Sequence, residues 1–210
     1  MATTKHDTFK PIVLIERPAK LAVLISGGGR TLENLARCIH DGALDAEIAL
    51  VIASRGEISG IARCERLGLP VEVIDYRSYE DVESYSRAHF DLFRQAGIHL
   101  VCLAGFLRFL SVPDDFTGRI INIHPALLPE FGGRGMYGAH VHRAVLAAGR
   151  RESGCTVHYV DHEYDHGEVI LQMGVPVEED DTHERLAKRV FQQECVAYPR
   201  AIRMLQGLPS

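Results

Sequence analysis

Apolar residues along this chain follow two alternating patterns. Short apolar runs at 21–25, 48–53, 71–74 and 99–104 read as strands. The stretches between them carry apolar residues at helical spacing instead. Leu32, Leu35, Ala36 and Ile39 recur at i, i+3, i+4 and i+7, one face of a helix. Residues 58–67 and 79–96 continue the pattern, the second closed by Gly97. Strand alternating with helix predicts a parallel sheet with helices on both faces. A strand over 118–124 then precedes a helix through Val141, Ala144, Val145 and Ala148, stopped by Gly149. Two more strands, 155–160 and 169–175, flank a loop holding Asp165. A last helix opens at Asp181, with Glu184 three residues on in capping-box spacing, and runs to about 205. Residues 1–20, polar and then hinged at Pro18, read as an N-terminal extension, poorly ordered or in edge contact. They precede a single α/β domain over 21–210.

Composition narrows the class. A chain of 210 residues suggests one domain and buries ~70% of its unfolded surface without staples. A net charge of −5 gives no global basic field for nucleic acid or anionic membrane. Cys38, Cys64, Cys102, Cys155 and Cys195 are odd in number and form no Cys-x-x-Cys, which fits a reducing cytoplasm better than a disulfide framework or zinc cage. No apolar run approaches the ~18 residues of a membrane span, and the first residues lack a secretory apolar core. The eleven histidines include His140-x-His142, which could share a face only on a strand but falls on a helix, and His158, His162 and His166, which span a strand and a loop and so lack the helical geometry of an i, i+4 zinc site; no metal is expected.

The strand over 118–124 ends in Asn122-Ile123-His124-Pro125. Strand side chains alternate, so Asn122 and His124 share a face at the end where open α/β sheets bind ligands. An amide donor, a titratable ring and the later carboxylate of Asp165 are the parts needed for acyl transfer to a ready-made nucleophile. Taken alone the trio reads as structural; the neighbouring motifs turn it toward chemistry. Strand 21–25 runs into Ser26-Gly27-Gly28-Gly29-Arg30-Thr31 and a helix. Glycines let backbone approach a ligand, and a helix N-terminus offers free N–H groups to an anion. A phosphate-sized guest fits, with Thr31 as cap and Arg30 adding charge. Two alternatives stand beside it: a tight turn without ligand, and an NADP-type site in which Arg55 meets a 2′-phosphate. The dinucleotide pattern is incomplete, with Leu32 at its third glycine, and no Gly-Lys-Ser/Thr marks a P-loop.

Ser26-Gly27-Gly28-Gly29, Ala104-Gly105-Phe106-Leu107-Arg108-Phe109-Leu110, Asn122-Ile123-His124-Pro125-Ala126-Leu127-Leu128-Pro129 and Asp165-His166-Gly167 occur in a telling order and spacing. In these the chain resembles the phosphoribosylglycinamide formyltransferases, from residue 21 to about 205. The Asn-x-His-Pro and Leu-Leu-Pro element is shared by folate-dependent formyl transferases and deformylases; the glycine loop and length narrow the choice. The resemblance implies a single-domain formyltransferase fold, with a Rossmann-like parallel half and a mixed C-terminal half containing an antiparallel strand. It implies formyl transfer from 10-formyltetrahydrofolate, a co-substrate, to the amine of glycinamide ribonucleotide in purine biosynthesis, by a monomer or homodimer. Asn122 would donate to the tetrahedral oxyanion together with protonated His124, which Asp165 would keep cationic, with His158 behind them. The ribonucleotide would lie on Ser26, Gly27, Gly28, Gly29, Arg30, Thr31 and Glu194. The folate would lie along Leu107, Arg108, Phe109 and Leu110, with Val160 and Asp161 completing the wall. Without the resemblance, Glu194, at i+7 on the stripe Ala187, Val190 and Phe191, reads as a salt-bridged edge residue, and Phe106 and Phe109 read as core.

The chain departs from that family at the glycine loop, where Gly28 replaces an asparagine and Arg30-Thr31 replace Ser-Asn. The family's phosphate arginine near the start of the long helix corresponds to Val82, and Arg30 is the candidate replacement. The segment 131–138, Phe-Gly-Gly-Arg-Gly-Met-Tyr-Gly, is longer than its counterpart and reads as either a mobile lid or a passive loop. Competing functions are a formyltetrahydrofolate deformylase, which usually carries a regulatory domain, and a transformylase of initiator methionyl-tRNA, which needs a tRNA-binding domain. From other classes come a non-catalytic nucleotide sensor and an NADP-dependent reductase; Leu32 and the occupied catalytic positions argue against both.

Overall fold

The computed structural model describes residues 13–208. Seven strands form one sheet in the order β3-β2-β1-β4-β5-β6-β7. β1 (Ala19–Ile25), β2 (Ala46–Ala53), β3 (Val71–Val73), β4 (Leu100–Leu103) and β5 (Ile120–His124) run parallel. β6 (Glu152–Tyr159) is antiparallel to β5 and to β7 (Val169–Pro176), so β6 alone opposes the rest. This bears out the expected half-parallel, half-mixed architecture.

Helices are distributed unequally over the two faces. α1 (Arg30–His40), α2 (Ser59–Leu67), α4 (Ala139–Ala147) and α5 (His183–Leu205) pack on one core through Leu32, Leu35, Cys64, Val145, Leu186 and Val190. α3 (Val82–Gln95) covers the other face, where Tyr85, Phe90 and Phe93 meet Leu24, Ile52 and Val101. The central strands are buried on both faces, which is why they read as continuous apolar runs.

Several boundaries differ from the sequence reading, each for a local reason. The helix expected over 79–96 starts later, as α3 at Val82, because Asp81 and Ser84 exchange a reciprocal capping box; a separate 3-10 turn, Tyr76–Ser78, precedes it. α5 is capped by Thr182, whose hydroxyl accepts the Arg185 N–H, rather than by Asp181. The Asp181 carboxylate is taken by Arg189, at 2.6 Å. Pro199 lies within α5 and is buried. Of the expected extension, residues 1–12 lie outside the described residues. Past them, Ile15 is buried and donates its N–H to the Leu205 carbonyl at 2.9 Å, and β1 begins at Ala19. Among the described residues no helix is long and apolar enough to cross a membrane.

Candidate active site

β5 sends alternate side chains to opposite faces. Ile121 and Ile123 enter the larger core, while Asn122 and His124 lie on the side of Ile120 and α3. Asn122 stands opposite His158 of β6. Loop residues 160–168 fold back over this pair and deliver Asp165, whose φ of 54° is left-handed.

The three predicted catalytic residues converge. The Asn122 amide donates to His158 Nε2 at 3.1 Å and to Asp165 Oδ1 at 3.3 Å. Asp165 Oδ2 lies 3.4 Å from His124 Nδ1 and accepts the Gly133 N–H at 2.9 Å. His158 stands behind them as expected, its Nδ1–H donating to the Tyr159 carbonyl at 2.7 Å and its Nε2 3.6 Å from Asp165. A carbonyl only accepts, so the Tyr159 contact makes His158 Nε2 the acceptor for Asn122. On His124 the tautomer is reversed: Nε2–H donates to the Phe131 carbonyl at 2.8 Å.

The expectation that Asp165 holds His124 cationic does not survive. Burial of the ring is the largest influence and outweighs Asp165 and the Phe131 contact, so the pKa falls below its ordinary value and the resting ring is neutral. Burial pushes Asp165 upward, but His158, His124 and the Gly133 N–H together carry it below the usual carboxylate value. The resting pair is therefore carboxylate beside neutral imidazole.

These groups border a cavity of about 910 Å³ that reaches the glycine turn. Ser26, Gly27, Gly28, Gly29, Arg30 and Thr31 all line it. The N-cap of α1 is Gly29, at φ 69° and with no side-chain cap, rather than Thr31, so the first N–H groups of the helix stay open to an anion. Gly60 lets α2 approach this turn: its N–H donates to the Gly27 carbonyl at 3.1 Å, and an added Cβ would lie 2.6 Å from that oxygen. The Ser26 hydroxyl faces inward, accepting the Leu107 N–H at 3.0 Å, which joins the turn to the segment after β4. Arg30 lies over the Phe191 ring, 4.2 Å from its centroid, with no carboxylate in ion-pair range among the described residues.

The stripe on α5 was misread. Leu186, Val190, Ala197 and Tyr198 are among its buried residues, while Ala187, Phe191 and Glu194 face the cavity. Glu194 is half-buried there and pushed up to about 7 by burial, against the pull of Arg30. It has no salt bridge among the described residues.

Of the expected folate wall, Leu107 lines the main cavity. Arg108, Phe109, Leu110, Val160 and Asp161 line a second cavity of about 70 Å³ that shares Asn122 and Asp165 with the first. The Phe109 and Tyr164 rings both line it, their centroids 5.5 Å apart. Phe106 and Leu110 are buried in the α3 core. Sequence reasoning missed the Phe131 carbonyl, the Gly133 amide and His142. His142 is buried beside the cavity and pushed down to about 4 by burial and by His183 and His124. Of the segment 131–138, residues 133–138 line the cavity. Among the described residues no cluster of three His, Cys, Asp or Glu side chains is placed to hold a metal ion.

Comparison with known proteins agrees with this geometry. A family model described as formyl transferase matches residues 19–202. The trifunctional purine biosynthetic protein adenosine-3 of Gallus gallus is 42% identical over 188 residues, covering 89% of this chain and 18% of that protein. The chloroplastic phosphoribosylglycinamide formyltransferase of Arabidopsis thaliana is 39% identical, covering 89% of this chain and 65% of the relative. The chain thus spans less than two thirds of either relative's length. The crystal structure of glycinamide ribonucleotide transformylase 1 from Symbiobacterium toebii superposes with a TM-score of 0.82 at 36% identity, covering 90% of this chain and 88% of that one. On the family match and this structural likeness, the chain belongs to the formyl transferase family.

Proposed function

We propose that this formyl transferase moves the formyl group of 10-formyltetrahydrofolate onto the amine of glycinamide ribonucleotide, in the cytoplasm. One observation carries the reading: Asn122, His124 and Asp165 meet beside a cavity that runs to a helix N-terminus without a side-chain cap, where Arg30 has no ion pair among the described residues. The acceptor phosphate sits on the glycine turn and Arg30, and its ribose reaches Glu194. The folate ring enters between 107–110 and 160–165, placing its formyl carbon above Asn122.

The amine lone pair attacks the formyl carbon and the carbonyl π electrons move to oxygen. Asn122 meets the developing oxyanion by giving up its longer bond to Asp165. His124 Nδ1, unprotonated at rest, takes the proton released from the attacking nitrogen, and Asp165 stabilises the resulting imidazolium. Collapse breaks the bond to the folate nitrogen, which keeps the electron pair and receives that proton. Serine or cysteine is not needed, because the acceptor is already a nucleophile.

The test supplies both substrates to the purified chain and follows the N-formylated ribonucleotide by mass spectrometry. Asn122→Ala loses ~10²–10³ in kcat and His124→Ala ~10²–10⁴, with the double variant much less impaired than the product of the two. Rapid formate release from the folate without ribonucleotide overturns the assignment in favour of a deformylase.

A further inference from the structure

Two residues other than glycine adopt a left-handed backbone among the described residues, Phe131 at φ 56° and Asp165 at φ 54°. Such a conformation costs on the order of 1 kcal/mol or more and persists where the surroundings impose it. Both stand on His124, from opposite sides of the ring. Phe131 receives its Nε2–H at 2.8 Å, and Asp165 faces its Nδ1 at 3.4 Å. Gly133, two residues after Phe131, closes the circuit by donating to Asp165 Oδ2.

We propose that Phe131 is a positioning residue whose backbone carbonyl, aimed by its left-handed conformation, fixes the tautomer of His124. The carbonyl has no hydrogen to give, so Nε2 carries one in every protonation state of the ring. The exchangeable site is thereby Nδ1, the nitrogen beside Asp165. With the proton on Nδ1 instead, Nε2 would turn a lone pair toward the Phe131 oxygen, and no lone pair would remain beside Asp165 to receive the acceptor's proton. Only the φ of residue 131 is needed for this; the aromatic ring, packed partly against the larger core, serves stability. Glycine adopts that φ freely, while proline holds φ near −65° and swings the carbonyl away.

The inference rests on His124 acting as proposed above, but its test does not. Long-range ¹H–¹⁵N correlation spectra of the histidine-labelled chain are recorded above the titration of His124, which His124→Gln assigns. The wild type and Phe131→Gly are expected to show the Nε2–H tautomer. Phe131→Pro is expected to show a mixture, with kcat down ~10- to 100-fold and acceptor KM within about twofold. An Nδ1–H tautomer in the wild type overturns the proposal, however fast formyl transfer runs. So does a folded Phe131→Pro that keeps both tautomer and kcat; should it not fold, the wild-type and Phe131→Gly spectra decide. An Nε2–H ring in a chain that transfers no formyl group upholds this inference and defeats only the assigned reaction.

Discussion

Replacing Arg30 with alanine tests how this chain holds its acceptor. The guanidinium lies on Phe191 and faces the cavity beside the α1 N-terminus, where Gly29 leaves the backbone N–H groups open. A charge-assisted bond to phosphate contributes ~1.5–3 kcal/mol. Arg30 is exposed, so solvent screening puts the expected loss at the lower end, a rise of about tenfold in acceptor KM with kcat little changed. Its second effect is on Glu194, which burial pushes up to about 7 while Arg30 pulls it down. At that value the carboxylate goes from roughly one-tenth to nine-tenths ionised between about pH 6 and about pH 8. If the ionised form accepts the ribose hydroxyls, wild-type KM falls about tenfold over that interval. In Arg30→Ala the break moves to higher pH, and in Glu194→Gln it disappears. Arg30→Lys keeps the charge without the planar stack and should fall between. Initial-rate KM profiles against pH read all four proteins. Identical profiles for wild type and Arg30→Ala would refute both the phosphate role and the coupling.

Other predictions concern the scaffold. His89 is fully buried, donates Nδ1–H to the Tyr85 carbonyl at 2.9 Å, and is pushed down to about 4 by burial. Its stabilising contribution is therefore complete above about pH 6.5 and lost as pH falls toward 4, up to about 3 kcal/mol, and urea titrations should show a flatter acid limb in His89→Phe. Gly60→Ala places a methyl against the Gly27 carbonyl and the Ile25 side chain; it should cost ~1–3 kcal/mol in thermal melts and raise acceptor KM by displacing the glycine turn. Tyr198→Phe removes a buried hydroxyl within 3.0 Å of the Leu103 carbonyl and 3.1 Å of the Ile121 carbonyl, for a loss of ~1–2 kcal/mol by denaturant unfolding.

Period and punctuation made most of the sheet legible. β1, β2 and β4 are largely buried and read as apolar runs, and α1 shows its stripe through Leu32 and Leu35. Asn122 and His124 were placed on one face by alternation alone. What the sequence concealed was backbone. No side chain announces that the Phe131 carbonyl meets His124 or that the Gly133 amide meets Asp165, because both depend on φ values that phenylalanine and aspartate rarely adopt. The stripe on α5 misled for a different reason: Phe191 is apolar but serves the cavity, as a platform for Arg30. The charge state of His124 was missed because burial, a property of the assembled fold, outweighs the one carboxylate the sequence offered.

The Gly133 amide donates to the same Asp165 oxygen, Oδ2, that faces the imidazole. Whatever draws that oxygen away, a protonated ring or an incoming ligand, weakens the bond that holds Gly133. One anchor of the segment 133–138 along the cleft thus ends on the carboxylate that faces the ring.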